Sequence, residues 1–389
     1  MVRRHNCRMS TLHISSQFDA GAIEVVRLAE PHDIQLRIRP DNASPFAQWF
    51  HFCLHGAAGQ PVVLRFLNAG QCAYPAGWDG YQVLASTDRR RWFRIPTTFD
   101  GQVMSARTTP DAQRIYFAYF EPYGYERHLD LLGTASRSDL VELQHLGTTH
   151  EGRDISLLHV RDPLDTPGTG PKQKVWLIAR QHPGETMAEW FAEGFLQRLL
   201  DRDDPTSRRL LQHCEFFVVP NMNPDGAALG NLRTNAVGTN LNREWLEPSV
   251  EKSPEVFYVR QKMQQVGVDL FLDIHGDENL PYNFVVGTEA TPGYSPRIDA
   301  LQDRFKAAWL AASPDFQTEV GYARAAPGQA NLGLATNWVG QTFGCLAFTI
   351  EMPFKDNAHL PDARTGWSGA RSKQLGASVL AAVRAVVCG

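Results

Sequence analysis

Four short apolar runs at 175–179, 216–220, 270–274 and 346–350 constrain this chain more than any other feature. None of them alternates polar with apolar residues, so each reads as a strand buried on both faces. Helical spacing lies between and after them: 185–200 carries Phe191, Phe195, Leu196 and Leu199, and 256–266, 298–312 and 372–387 are further helices. Strands alternating with helices predict an α/β fold, with a mixed, mainly parallel sheet flanked by helices on both faces. In such sheets ligands collect outside the carboxyl ends of the strands.

The first third of the chain has a different texture. Strand-like runs at 22–28, 34–39, 49–54, 62–66, 81–85, 92–95 and 115–120 are punctuated at close spacing by Gly, Pro, Asn and Asp. This pattern predicts an antiparallel β-sandwich domain over 12–125, preceding an α/β domain over 126–389. Residues 1–11 read as a disordered leader, because their basic start lacks the apolar stretch of a signal peptide.

Composition excludes several classes. Hydrophobic residues at 43% and charged residues at 21% fit an ordinary globular protein. A net charge of -4 without a basic stripe gives no footprint for nucleic acid or an anionic membrane. The run 377–387 is broken by Arg384 and is too short to span a bilayer. Cys7, Cys53, Cys72, Cys214, Cys345 and Cys388 are far apart with no C-x-x-C pair, as free thiols in a reducing, cytoplasmic compartment would be. Any metal would then be held by His and carboxylate. The basic run Asp88-Arg89-Arg90-Arg91 reads as a solvated turn.

Polar residues gather at the strand ends. His182 and Glu185 follow the first run in Gln181-His182-Pro183-Gly184-Glu185, Asn223-Pro224-Asp225-Gly226 follows the second, His275 ends the third, and Glu351 ends the fourth. Two His, one carboxylate and an open position make a known catalytic zinc set. Taken singly each is weak. H-x-x-E alone fits a helix-start Glu beside an unrelated surface His, and a lone strand-end His is more often structural.

Taken together, these motifs resemble a family. His182-Pro183-Gly184-Glu185, Asn223-Pro224-Asp225-Gly226, the segment from Gly230 to Asn235 running into Gly238-Thr239-Asn240-Leu241-Asn242-Arg243, Asp273-Ile274-His275-Gly276 and Thr349-Ile350-Glu351 fall in the order of zinc carboxypeptidases of the carboxypeptidase A superfamily. The resemblance is nearest to the cytosolic carboxypeptidase subfamily, whose members carry a leading β-sandwich. Phe46-Ala47-Gln48-Trp49-Phe50-His51-Phe52 is similar to a tryptophan-bearing strand of that domain.

The resemblance implies one zinc ion per chain on His182, Glu185 and His275, with Arg233 polarising the scissile carbonyl. It also implies Asn242 and Arg243 on the substrate's terminal carboxylate and Glu351 as general base. The implied substrate is a peptide or protein C-terminus, with acidic tails as the favoured class. Chemistry agrees: amide hydrolysis needs an activated water, a proton acceptor and a cation where charge develops on the carbonyl. Asn240 stands where many relatives have Asp, a position that orients the first zinc His. Within 322–338, Tyr322, Arg324 and Gln329 are candidates for the specificity residue.

Two other readings stay open on sequence. One is a zinc amidase or deacylase acting on murein peptides or N-acyl amino acids. The other is an inactive scaffold serving as a binding protein, which the complete residue set disfavours. No residue before 182 is expected in the constellation, and the leading domain is expected to dock against the second.

Overall fold

The computed structural model describes residues 12–163, 171–323 and 325–388. The leader read over 1–11, with Cys7, lies outside them. The leading part contains β1 (His13–Ser15), β2 (Glu24–Leu28), β3 (Ile34–Arg37), β4 (His51–His55), β5 (Val62–Phe66), β6 (Leu84–Ser86), β7 (Phe93–Arg94), β8 (Thr97–Phe99), β9 (Met104–Thr108) and β10 (Arg114–Ala118). These form two sheets, ordered β1-β4-β10-β6-β7 and β2-β3-β5-β9-β8. Alternation along β4 sets the layers: Phe52 meets Phe66 of the other sheet at 6.4 Å, whereas His51 turns to Phe18, Trp92 and Tyr116. Every pairing is antiparallel except β3 with β5, which is parallel. Trp49 and Phe50 are buried but lie ahead of β4, and the Trp49 indole donates to the Ala20 carbonyl at 2.9 Å.

The second part runs α1 (Tyr125–Ala135), β11 (Val141–Thr148), β12 (Asp154–Val160), β13 (Gln173–Ala179), α2 (Met187–Leu199), α3 (Pro205–His213), β14 (Cys214–Val219), α4 (Pro224–Leu229), α5 (Pro254–Val266), β15 (Leu270–Asp277), β16 (Phe284–Val286), α6 (Pro296–Ala312), α7 (Ala335–Phe343), β17 (Leu346–Pro353) and α8 (Gly369–Val387). One sheet is ordered β11-β12-β14-β13-β15-β17-β16. The four strands read from the apolar runs, β14, β13, β15 and β17, are its parallel centre, and the outer pairings are antiparallel.

Successive residues of the central strands enter two separate cores, as continuous apolar runs require. Val175 and Leu177 pack with α2 and α8, whereas Trp176 and Ile178 pack with Val256, Val259 and Trp338 of α5 and α7. Asp273 and His275 on β15 have the parity of Phe271, as Thr349 and Glu351 on β17 have that of Ala347, so all four lie on the α7 face. Cys53, Cys72, Cys214, Cys345 and Cys388 are free thiols. Asp88–Arg91 forms an exposed turn in which Asp88 accepts the Arg90 and Arg91 backbone N–H groups.

Candidate metal centre and its surroundings

After β13 the chain turns sharply through Arg180, which has a left-handed φ of 62° although it is not glycine. That conformation costs about 1–2 kcal/mol and persists only where its surroundings enforce it. Here they do. The Arg180 guanidinium, 1% exposed, donates to the Pro183 carbonyl at 2.9 Å, to the Tyr123 carbonyl at 2.8 Å and to Glu189 at 2.7 Å. Glu189 in turn holds Asn221 and His128. The turn carrying His182 and Glu185 is thus bolted from beneath by a buried ion pair.

The structure brings His182, Glu185 and His275 together, all buried, with one donor atom of each within 4.8 Å of the others. Nδ1 of His182 is 2.6 Å from Glu185 Oε1, and Nδ1 of His275 is 2.7 Å from Glu185 Oε2. The far nitrogens face acceptors: Nε2 of His182 is 3.1 Å from Asn240 Oδ1, and Nε2 of His275 is 3.0 Å from Asp273 Oδ2. With its proton at Nε2, His182 offers its Nδ1 lone pair to a cation; although burial opposes it, Asp273 and Glu185 hold His275 well above the usual imidazole range, so His275 gives up its Nδ1 proton when a cation binds there. Burial and the Arg233 charge hold His182 down to about 4, so it stays neutral. Although burial opposes it, the two histidines hold Glu185 below the usual carboxylate range. A neutral imidazole and an ionised carboxylate are the forms a metal needs.

Asp273 went unassigned in the sequence, although its spacing of two from His275 puts both on one strand face. It also accepts from Gln181 at 2.8 Å, and the buried Trp245 indole fixes that amide at 2.8 Å. Asn223 caps α4 by accepting the Gly226 N–H, and its own amide donates to the Gln181 carbonyl. Gly226 has no room for a Cβ, which would meet the Thr234 carbonyl.

Glu351 is the register partner of His275 across β15 and β17. It is buried, and its Oε2 has no hydrogen-bond partner among the described residues. Burial, reinforced by Glu185, Asp277 and Glu278 and opposed by His275, pushes its carboxyl well above the usual range. The Tyr322 hydroxyl donates to Asp277 at 2.5 Å and lies 3.3 Å from Glu351 Oε1. Gln329 lies with Tyr322 on the wall of a cavity of about 580 Å³, and Arg324 falls outside the described residues.

Arg233 and Arg243 lie close enough that their charges repel. Burial and Arg233 together lower Arg243 below the usual guanidinium range. Among the described residues neither has a carboxylate within ion-pair distance, and Arg243 donates only to the Asn242 carbonyl at 2.6 Å. Asn242 itself is buried, accepting the Ala335 N–H of α7 at 2.9 Å, with its amide nitrogen 3.4 Å from His275.

Residues before 182 reach the segment that carries Arg233. Asp41 of the leading part accepts the backbone N–H groups of Leu232, Arg233 and Thr234, and the Phe46 and Tyr74 rings flank the Arg233 guanidinium. No local pattern announces a contact between segments some 190 residues apart.

Known families match both parts of the chain. Residues 125–366 match the zinc carboxypeptidase family, and residues 14–120 match the cytosolic carboxypeptidase N-terminal domain. The chain therefore belongs to the zinc carboxypeptidase family and is a metallocarboxypeptidase, an enzyme that hydrolyses C-terminal peptide bonds. A metallo-carboxypeptidase from Burkholderia cenocepacia is 53% identical, with 96% of this chain and 98% of that one covered and a TM-score of 0.93. One from Pseudomonas aeruginosa, in complex with (2-guanidinoethylmercapto)succinic acid, is 52% identical over 97% and 99% of the two chains, with a TM-score of 0.93. Cytosolic carboxypeptidase 6 of Mus musculus is 29% identical over 69% of this chain, which spans 54% of that protein's length. Among the described residues no helix is long and apolar enough to cross a membrane.

Proposed function

We propose that His182, Glu185 and His275 hold one zinc ion, and that Glu351, Arg233, Asn242 and Arg243 form the rest of a C-terminal exopeptidase site. The observation that carries this reading is Glu351 Oε2, a buried carboxylate oxygen with no hydrogen-bond partner among the described residues, beside a three-donor cluster. An orphaned buried oxygen is costly to maintain and calls for a functional reason. A bound zinc ion supplies a Lewis acid and brings the pKa of its water to about 7. Glu351 takes the proton from the attacking water and returns it to the leaving amine.

Arg233 donates to the carbonyl oxygen where negative charge develops. Arg243 and Asn242 bind the free carboxylate that only a chain end possesses, the guanidinium as a two-pronged donor and the amide as a further one. The mutual repulsion of Arg233 and Arg243 falls when an anion sits between them, which favours a carboxylate over an amide there. A bound succinic acid derivative in the Pseudomonas aeruginosa relative is consistent with a carboxylate-binding pocket. Two units, 12–125 and 126–389, belong to this reading; the family matches cover 14–120 and 125–366. We extend it to a cytoplasmic location and to acidic chain ends on likeness to cytosolic carboxypeptidases alone.

Peptides ending in a free carboxylate or in an amide test the assignment. Free peptides should be cleaved and amidated ones spared. Arg243→Ala should lose roughly thirty-fold or more on free peptides while keeping its zinc. Equal cleavage of both peptides would replace the exopeptidase reading with an amidase one. A peptide library read by mass spectrometry tests acidic preference through the residues released.

A further inference from the structure

We propose that Asp41 is a positioning residue for Arg233, so that the leading β-sandwich completes the carbonyl-polarising half of the site. This rests on the role given to Arg233 above. Asp41 is 5% exposed and accepts four hydrogen bonds from one short segment: Leu232 N at 2.6 Å, Arg233 N at 3.0 Å, Thr234 N at 2.9 Å and Thr234 Oγ1 at 2.8 Å. Three consecutive backbone N–H groups converging on one carboxylate fix the φ and ψ angles of a segment that has neither helix nor strand to define it.

Neighbouring contacts extend the clamp. Asn42 accepts from and donates to Asn231 and donates to the Ala236 carbonyl at 2.6 Å, while Arg39 donates to the Leu229 carbonyl. Gly238, at φ 83°, lies so near Ala43 that a Cβ would run into its carbonyl. The loop bearing Arg233 therefore takes its shape from the sandwich.

The other end of the side chain is set by the same part of the protein. The Arg233 Cζ lies 5.6 Å from the ring centroids of both Phe46 and Tyr74. Aromatic faces attract a guanidinium without neutralising it, as a carboxylate would. Arg233 is thus held at its backbone by Asp41 and at its head by two rings, with its charge left available for a substrate carbonyl.

The test uses the full chain and compares Asp41→Asn in the parent and in an Arg233→Ala background. Asparagine cannot accept all three N–H groups, since its amide nitrogen is a donor. Asp41→Asn should lower kcat on a free-carboxylate peptide by roughly 10–100-fold, the scale of a displacement of about 1 Å in a catalytic group. KM should change little, and zinc content should hold. In the Arg233→Ala background the same substitution should leave kcat within about twofold, because no arginine remains to be misplaced. An equal fold-loss in both backgrounds, loss of zinc, or no loss in the parent overturns the proposal. Arg233→Ala at parental kcat is a separate outcome, which removes the role of Arg233 itself. If Asp41→Asn does not fold, Asp41→Glu carries the same comparison, because it keeps the charge and both acceptor oxygens but displaces them by one methylene from the Leu232, Arg233 and Thr234 N–H groups.

Discussion

Asn240 Oδ1 stands 3.1 Å from His182 Nε2 and accepts the Asn242 backbone N–H at the same distance. The backbone donor fixes which way the amide faces, so the His182 proton is held at Nε2 and Nδ1 is free to act as a ligand. Asn240→Leu should weaken zinc binding by roughly 10–100-fold, the usual effect of losing such a partner, and Asn240→Asp should strengthen it by adding charge. Competition against a chelator measures both. Unchanged affinity in Asn240→Leu would show that the contact does not tune the site.

Metal retention and turnover should separate cleanly. His182→Ala and His275→Ala each remove one of three donors, and elemental analysis should find most of the zinc gone. Glu351→Gln leaves the three donors intact, so it should keep zinc while losing roughly 10²–10⁴-fold in kcat. Full zinc in either His variant, or near-parental turnover in Glu351→Gln, would contradict the assignments.

His51 should limit acid stability. Both of its ring nitrogens are buried without a partner among the described residues, and burial, with the Arg89 charge, holds it down to about 3. Its ordinary value is 6.5. Between those values the unfolded chain takes up a proton that the folded chain refuses, so stability present above 6.5 is lost as pH falls, by about 1.4 kcal/mol per unit. His51→Phe should flatten that slope in denaturant titrations from pH 7 to pH 4. An unchanged slope would mean that His51 finds a partner when protonated.

Glu255 should act in the opposite direction. It is buried in the first turn of α5 with Asn235 as its partner, and burial pushes it up to about 7 from 4.5. The folded chain holds this proton longer than the unfolded one, so the associated stability is complete below 4.5 and is lost as pH rises through 7. Glu255→Gln keeps an acceptor for Asn235 and should gain stability over the parent at pH 8 but not at pH 4. Thermal melting at both pH values checks the sign.

Much of this architecture was legible because buried parallel strands leave a plain mark. The runs that became β13, β14, β15 and β17 are apolar on both faces, and His182, His275 and Glu351 sit at their carboxyl ends. The β11–β12 hairpin escaped notice because β11 is an edge strand with Glu142, Gln144 and His145 interleaved among its apolar residues. Parallel pairing of β3 with β5 depends on a crossover that no local pattern encodes. Asp41 was illegible for a related reason: an acidic residue in an Asn- and Pro-rich loop looks like any solvated turn until its distant partners are known.

The pairing of His275 with Glu351 across β15 and β17 makes the sheet itself a ruler. Neighbouring strands stand about 4.8 Å apart whatever their sequence, so the backbone spacing of His275 to Glu351 is inherited from main-chain hydrogen bonding rather than from loop conformation. Slipping β17 by one residue would carry Glu351 to the α8 side and bury its carboxylate among apolar residues, which opposes that slip. Insertions in the loops that follow these strands can reshape the surrounding surface, because the interval between His275 and Glu351 is not theirs to change.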